Sequence, residues 1–241
     1  MSTTTAPPLP AEAPATDVPR RTAALVAGAG YVAMFVLAVF ANFVVVEGLV
    51  VADDPAATFE ALVANRGLFR LGMVAFLVVA VLDVVVAWGL HVLLRAVARD
   101  RSLLAAWLRV VYSGLLAAAL APLLRADAIV AQGNVLGDGA ATEVGVALAT
   151  FDLMWQVGLV FFGLHLLVVA SLLVGRARAP RGLRFLLGIA GATYVVDALL
   201  QVGMTNYASI AGVLLPVVAI PSVLGEGWFA GWLLLRAGRE R

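Results

Sequence analysis

Apolar residues fall along this chain in six long blocks, at about 22–46, 67–94, 103–124, a fourth beginning between 142 and 152 and closing near 175, then 183–207 and 212–235. Each block exceeds the roughly 20 residues that a helix rising about 1.5 Å per residue needs to cross hydrocarbon. The pattern predicts an all-α polytopic membrane protein, with six transmembrane helices in one bundle. Pro122 falls near the end of the third block, and Pro216 and Pro221 are expected to kink the sixth.

The polar gaps between the blocks refine this picture. Residues 47–66 form the first; Asp54-Pro55 reads there as N-cap and first position of a short helix lying flat at the surface. Phe59, Leu62 and Val63 are expected to share one face of it. Residues 125–141 form another gap, whose GNVLGDG core is turn chemistry rather than a calcium loop. Between the fourth and fifth blocks stands RARAPRGLR, with Arg176, Arg178, Arg181 and Arg184. Residues 1–19 are rich in Pro, Ala and Thr and are expected to be a disordered tail, leaving 20–238 as the membrane domain. The first block is too long for a signal-peptide core, and no good cleavage site follows it.

Arginine sets the expected orientation. Positions 20, 21, 95, 99, 101, 109, 176, 178, 181, 184, 236, 239 and 241 fall at or near one face, and only 66, 70 and 125 at the other. By the positive-inside rule both termini are then cytoplasmic, and the protein is a multi-pass protein of the cell membrane. Its expected surroundings are the lipid bilayer, with a protein partner or small ligand left open.

Composition narrows the chemistry. The chain is 63% hydrophobic with a mean hydropathy of +1.03, more than a soluble core of this size can bury. Cysteine is absent, which removes disulfides, thiol catalysis and thiolate metal sites. Two histidines are too few for a histidine-rich metal site. No Walker loop, dinucleotide turn, HExxH or GxSxG occurs, so no catalytic residue, metal or cofactor is expected. The arginine loops read as topology determinants and contacts for anionic lipid, not as a nucleic-acid surface.

The candidate chemistry lies in the few ionisable residues inside the blocks. Such groups cost about 2.5–3.5 kcal/mol each on insertion, so they usually face the bundle interior or water. Asp83, His165, Asp197 and Glu226 come from four different blocks and fall at similar depth, about 14–21 Å from the arginine-rich face. Arg109 starts lower, but its long side chain reaches up toward Asp83, its expected partner. His165 is expected as a hydrogen-bonded core histidine, and His91 as interfacial. Asp197 and Gln201 share a face. Glu226 stands beside a GxxxG at Gly227 and Gly231, which would let another helix approach closely, and is expected to donate a hydrogen bond to His165 or Tyr194. Arg70 is expected to meet Glu47 or Asp152.

Several stretches taken in order carry a family likeness: Leu68-Phe69-Arg70-Leu71-Gly72, Asp83 ahead of Gly89-Leu90-His91, and Phe162-Gly163-Leu164-His165-Leu166-Leu167. Ala179-Pro180-Arg181-Gly182-Leu183, Tyr194 with Asp197, and Gly225-Glu226 before Trp232-Leu233-Leu234 continue it. Over about residues 20–238 the chain resembles a bacterial integral membrane family known only as a domain of unknown function. The resemblance implies a six-helix membrane domain and brings no activity. The residues themselves point to a protein that binds or moves a small ligand or proton through a polar intramembrane cavity. A non-catalytic membrane partner or sensor is the alternative, and an intramembrane enzyme using Asp83, His165 and Glu226 is the reading with least support.

Overall fold

The computed structural model describes residues 18–132, 139–174 and 179–239. Among them every regular element is helical, and six helices are long and apolar enough to cross a membrane. They are α1 (Arg20–Leu49), α3 (Arg66–Leu94), α4 (Arg99–Gln132), α5 (Gly139–Leu172), α6 (Arg181–Gly203) and α7 (Ala208–Leu235). The short α2 (Pro55–Ala64) links α1 to α3. Helices suit such a sequence because lipid offers no partner to a backbone N–H or C=O.

Each spanning helix packs on its neighbours in the chain, and α1 closes on α7, so the six form a ring. Small residues make the close approaches. A Cβ on Gly163 or Gly191 would lie 2.6 Å from the carbonyl oxygen of the other, where α5 crosses α6. A Cβ on Gly28 would meet Leu234, closing α1 on α7 at the end where α1 begins and α7 ends. Arg21 reinforces that closure by donating to the carbonyls of Leu233 at 3.1 Å, Ala237 at 3.0 Å and Leu234, the orphan acceptors of α7. Gly238 follows with φ +71°, the left-handed conformation that glycine adopts without strain.

α1 is not uniform. Residues Phe40–Val46 widen into a π-helix, in which the Glu47 amide bonds back to Asn42. The Asn42 side chain in turn donates to Glu47 Oε1 at 2.8 Å.

Several boundaries differ from the sequence expectation. α4 continues past Pro122, Arg125 and Asp127 to Gln132, and α5 starts at Gly139, so most of the expected gap is helix. Polar residues there do not end the helix, because they form ion pairs that hold it beyond the apolar block. Residues 133–138, where the turn is expected, lie outside the described residues, as do 1–17, 175–178 and 240–241. α6 ends at Gly203, and α7 begins at Ala208 and runs unbroken through Pro216 and Pro221. In α2 the Asp54 cap accepts from the Ala57 amide at 2.9 Å, and Pro55 takes the first position. Its buried face is Thr58, Phe59 and Leu62; Val63, placed on that face by the sequence, is 45% exposed. α2 packs across α5.

Candidate functional site

The centre of the ring is polar, and all six spanning helices contribute to it. Arg109 on α4 is its hub, 1% exposed. Its Nη2 lies 2.7 Å from Oδ1 of Asp83 on α3, itself 2% exposed. The approach is off the hydrogen-bonding axis, so the contact is an ion pair. Among the described residues, Asp83 Oδ1 and Arg109 Nε have no aligned hydrogen-bond partner. Arg109 Nη1 donates to the Tyr31 hydroxyl of α1 and, at 3.1 Å, to Nε2 of His165 on α5.

That last bond fixes the histidine. The carbonyl of Ala105 lies 2.8 Å from His165 Nδ1 and can only accept, so Nδ1 carries the proton. Nε2 then offers its lone pair to Arg109, which can only donate. His165 is thus a neutral, oriented acceptor, with both nitrogens committed.

Aromatic rings clamp the guanidinium. Its central carbon lies 4.5 Å from the Tyr31 ring centre and 5.1 Å from that of Phe162 on α5. Ring quadrupoles stabilise a desolvated cation by up to about 2 kcal/mol each. The rings extend outward: Phe162 meets Tyr112 of α4 and Tyr194 of α6, and Tyr31 meets Phe229 of α7 edge-on at 5.5 Å. Trp155 Nε1 donates to the Tyr112 hydroxyl at 3.2 Å.

Glu226 on α7 stands at the edge of this centre. Unlike Asp83 and Arg109 it is only half-buried. The Tyr194 hydroxyl donates to its Oε1 at 3.3 Å, and Arg109 is close enough to act on it electrostatically. Of the two acceptors expected from the sequence, Tyr194 is the one in reach, but it donates to Glu226 instead, while His165 is occupied by Arg109 and Ala105.

The other sequence candidates lie elsewhere. Asp197 is one turn beyond Tyr194 and accepts from the Tyr207 hydroxyl at 2.8 Å, forming a separate contact between the ends of α6 and α7. Burial and the Asp197 carboxylate push the Tyr207 phenol up to about 12. Gln201 shares that face, and its Oε1 has no partner among the described residues. His91 Nδ1 lies 2.8 Å from Ser102 Oγ at the start of α4. A Cβ at Gly227 or Gly231 would meet nothing within 4 Å, so that GxxxG makes no helix contact in this chain.

Arg70 meets neither Glu47 nor Asp152. It binds Asp127, which accepts a two-pronged contact from Arg70 and another from Arg66, the shortest being 2.7 Å. The reason is the extension of α4, which carries Asp127 up beside the start of α3. Sequence reasoning also missed Tyr31 and Phe162. Their signal was an aromatic on the small-residue face of α1 and another one turn before His165.

A groove of about 560 Å³ lined by Pro122, Arg125, Thr142, Glu143, Val146 and Thr150 lies between α4 and α5. It starts 13 residues beyond Arg109, about 20 Å along the helix, and is no part of the centre.

Over residues 26–237 the chain matches the family described as a domain of unknown function, DUF4386. It belongs to that family. A relative from Archaeoglobus fulgidus, described as an uncharacterized protein, is 29% identical over 168 residues, covering 70% of this chain and 84% of the relative. No solved structure matches. The multi-pass reading rests on the six apolar helices, and the family assigns no chemistry, so the centre is read from its own geometry.

Proposed function

We propose that this family member is a multi-pass protein of the cell membrane that binds or moves a small positively charged ligand, a proton being the smallest, at Glu226. The observation that supports it most directly is the charge inventory of the ring centre among the described residues: one guanidinium against two carboxyls. Asp83 already balances Arg109 at 2.7 Å. Glu226 is then the carboxyl with no cation of its own, and it is the half-buried one. A carboxylate at that depth is costly unless a positive charge accompanies it. His165, neutral and fully bonded, holds Arg109 in place and leaves the exchangeable position to Glu226.

In this reading residues 20–238 form the membrane domain, residues 1–19 form a tail dispensable to it, and both termini face the cytoplasm. The arginine distribution supports that orientation. Reporters fused at Gly137 and Arg178 should then mark opposite sides; the same side for both would sink the topology.

The functional test is flux into proteoliposomes loaded with a pH-sensitive dye under an imposed voltage. Wild type should pass charge, and Glu226→Gln should stop it with an unchanged unfolding temperature. Flux that survives Glu226→Gln removes Glu226 from the role.

A further inference from the structure

The ring is closed tightly at one end of the α1–α7 seam and is loose at the other. At the closed end Gly28 seats Leu234, Tyr31 meets Phe229 and Arg21 caps the α7 carbonyls. Past that level the two helices part company. α1 turns its buried residues Ala41, Val45 and Val46 toward α3, where a Cβ on Gly72 would sit 2.7 Å from Val45. Among the described residues of α7, none before Ser222 is buried.

The inner face of α7 nevertheless continues across this gap. Buried Phe229, Gly225 and Ser222 are followed by half-buried Val218, Leu214 and Ala211, a stripe at helical spacing with Glu226 at its base. From Leu214 to Glu226 the stripe measures about 18 Å. Val213 and Leu215, on the other faces, are 69% and 66% exposed. On the α1 side Phe35, Val36 and Val39 are exposed as well. Apolar side chains of both helices thus lie uncovered above Glu226, which accepts from the Tyr194 hydroxyl.

We infer that a cleft between these two helices admits an amphiphilic organic cation sideways from the bilayer, its alkyl chain along Leu214 and Val218 and its ammonium head at Glu226. This rests on the reading of Glu226 as a cation site and adds the class of ligand. Charge complementarity selects the head, since Glu226 is the unbalanced carboxyl and aromatic faces favour ammonium groups. The apolar stripe selects the chain. A small hydrophilic cation would gain nothing from it, and an anionic amphiphile would meet Glu226 with like charge.

The test is thermal unfolding in an uncharged maltoside detergent with dodecyltrimethylammonium, tetramethylammonium or dodecanoate. Dodecyltrimethylammonium should raise the unfolding temperature of the wild type at concentrations where tetramethylammonium and dodecanoate do not. Glu226→Gln should weaken that protection about tenfold or more. Val218→Trp, on the half-buried stripe above Ser222, should unfold like wild type without the probe and lose the protection with it. Equal protection by tetramethylammonium, or full protection of Val218→Trp, overturns the cleft and leaves the cation site standing. Equal protection by dodecanoate, or protection by neither cation, overturns the amphiphilic cation as the ligand, and the Glu226 site then stands or falls on the flux measurement.

Discussion

At the end of the bundle that carries α2, the two sides of the ring are built differently. Around α4 the packing is as dense as at mid-depth: Phe69, Leu123, Ile129 and Phe151 are each no more than 2% exposed. α2 lays Phe59 and Leu62 over that side, and Asp127 ties α4 to Arg66 and Arg70. Across the ring, the α6–α7 hairpin has no buried residue from 199 to 221. Both sides are strongly apolar. In lipid, hydrophobicity does not drive helices together; close approach and interhelical polar contacts do. The dense side has both. The hairpin has its close approach at Gly163–Gly191, lower down, and among the described residues Tyr207–Asp197 near its tip.

The largest effect should come from the hub that the dense side supports. Asp83→Leu strips Arg109 of its counter-charge in a site with no water-facing surface. A loss of about 3–5 kcal/mol is expected. Adding Arg109→Met should recover much of it, because two apolar groups replace the buried pair. Denaturation of the single and double variants in detergent measures this. A double variant no better than the single one would mean that Arg109 also holds Tyr31 and His165 in a way methionine cannot replace.

Next in size is a matched pair of truncations. Phe151→Ala, on the dense side, should cost about 3–5 kcal/mol. Leu215→Ala, 66% exposed on the hairpin, should change stability by less than about 0.5 kcal/mol. Comparable losses would show that something covers the hairpin in the membrane.

Glycines sharpen the contrast further. Gly191→Ala forces a Cβ against the Gly163 carbonyl and should cost about 1–3 kcal/mol. Gly231→Ala meets open space and should be neutral, or stabilising by up to about 1 kcal/mol. A damaging Gly231→Ala would revive the expected role of that GxxxG, as a contact with a second molecule.

These glycines also mark how far the sequence could be read. The six spans follow from length and hydropathy alone, and the Asp54-Pro55 start of α2 from local cap chemistry. The Asp83–Arg109 pairing was accessible because they lie on adjacent helices and the long arginine side chain spans their difference in depth. Packing faces were not accessible. Gly227 and Gly231 fit a contact motif, yet Gly163 and Gly191 make the contact, because ring order decides which faces meet. Arg70 was assigned the wrong acid for a related reason. The apolar block ends at Leu124, but α4 does not, and Asp127 moves from an expected loop into the Arg66–Arg70 site. Tyr31 is one of many aromatics until the α1–α7 closure puts it over Arg109.

The smallest expected effect is the most informative about the hairpin. Tyr207 lies between α6 and α7 and donates to Asp197 at 2.8 Å, the polar tie nearest the tip. Tyr207→Phe deletes that donor and should cost about 0.5–1.5 kcal/mol. Because the surrounding residues are barely packed, the loss should be local: faster amide exchange around 199–210, with little change in global unfolding. The alkaline limb gives a second readout. The phenol is raised from 10 to about 12 in the folded protein, first by burial and then by the Asp197 carboxylate, so folding favours its protonated form. Its contribution is complete below pH 10 and is lost as pH rises toward about 12. In Tyr207→Phe that part of the pH dependence should vanish, while Glu226→Gln should leave it intact. A global destabilisation by Tyr207→Phe as large as that of Phe151→Ala would mean that the hairpin unfolds together with the dense side, and the cleft between α1 and α7 would then be closed in the working protein.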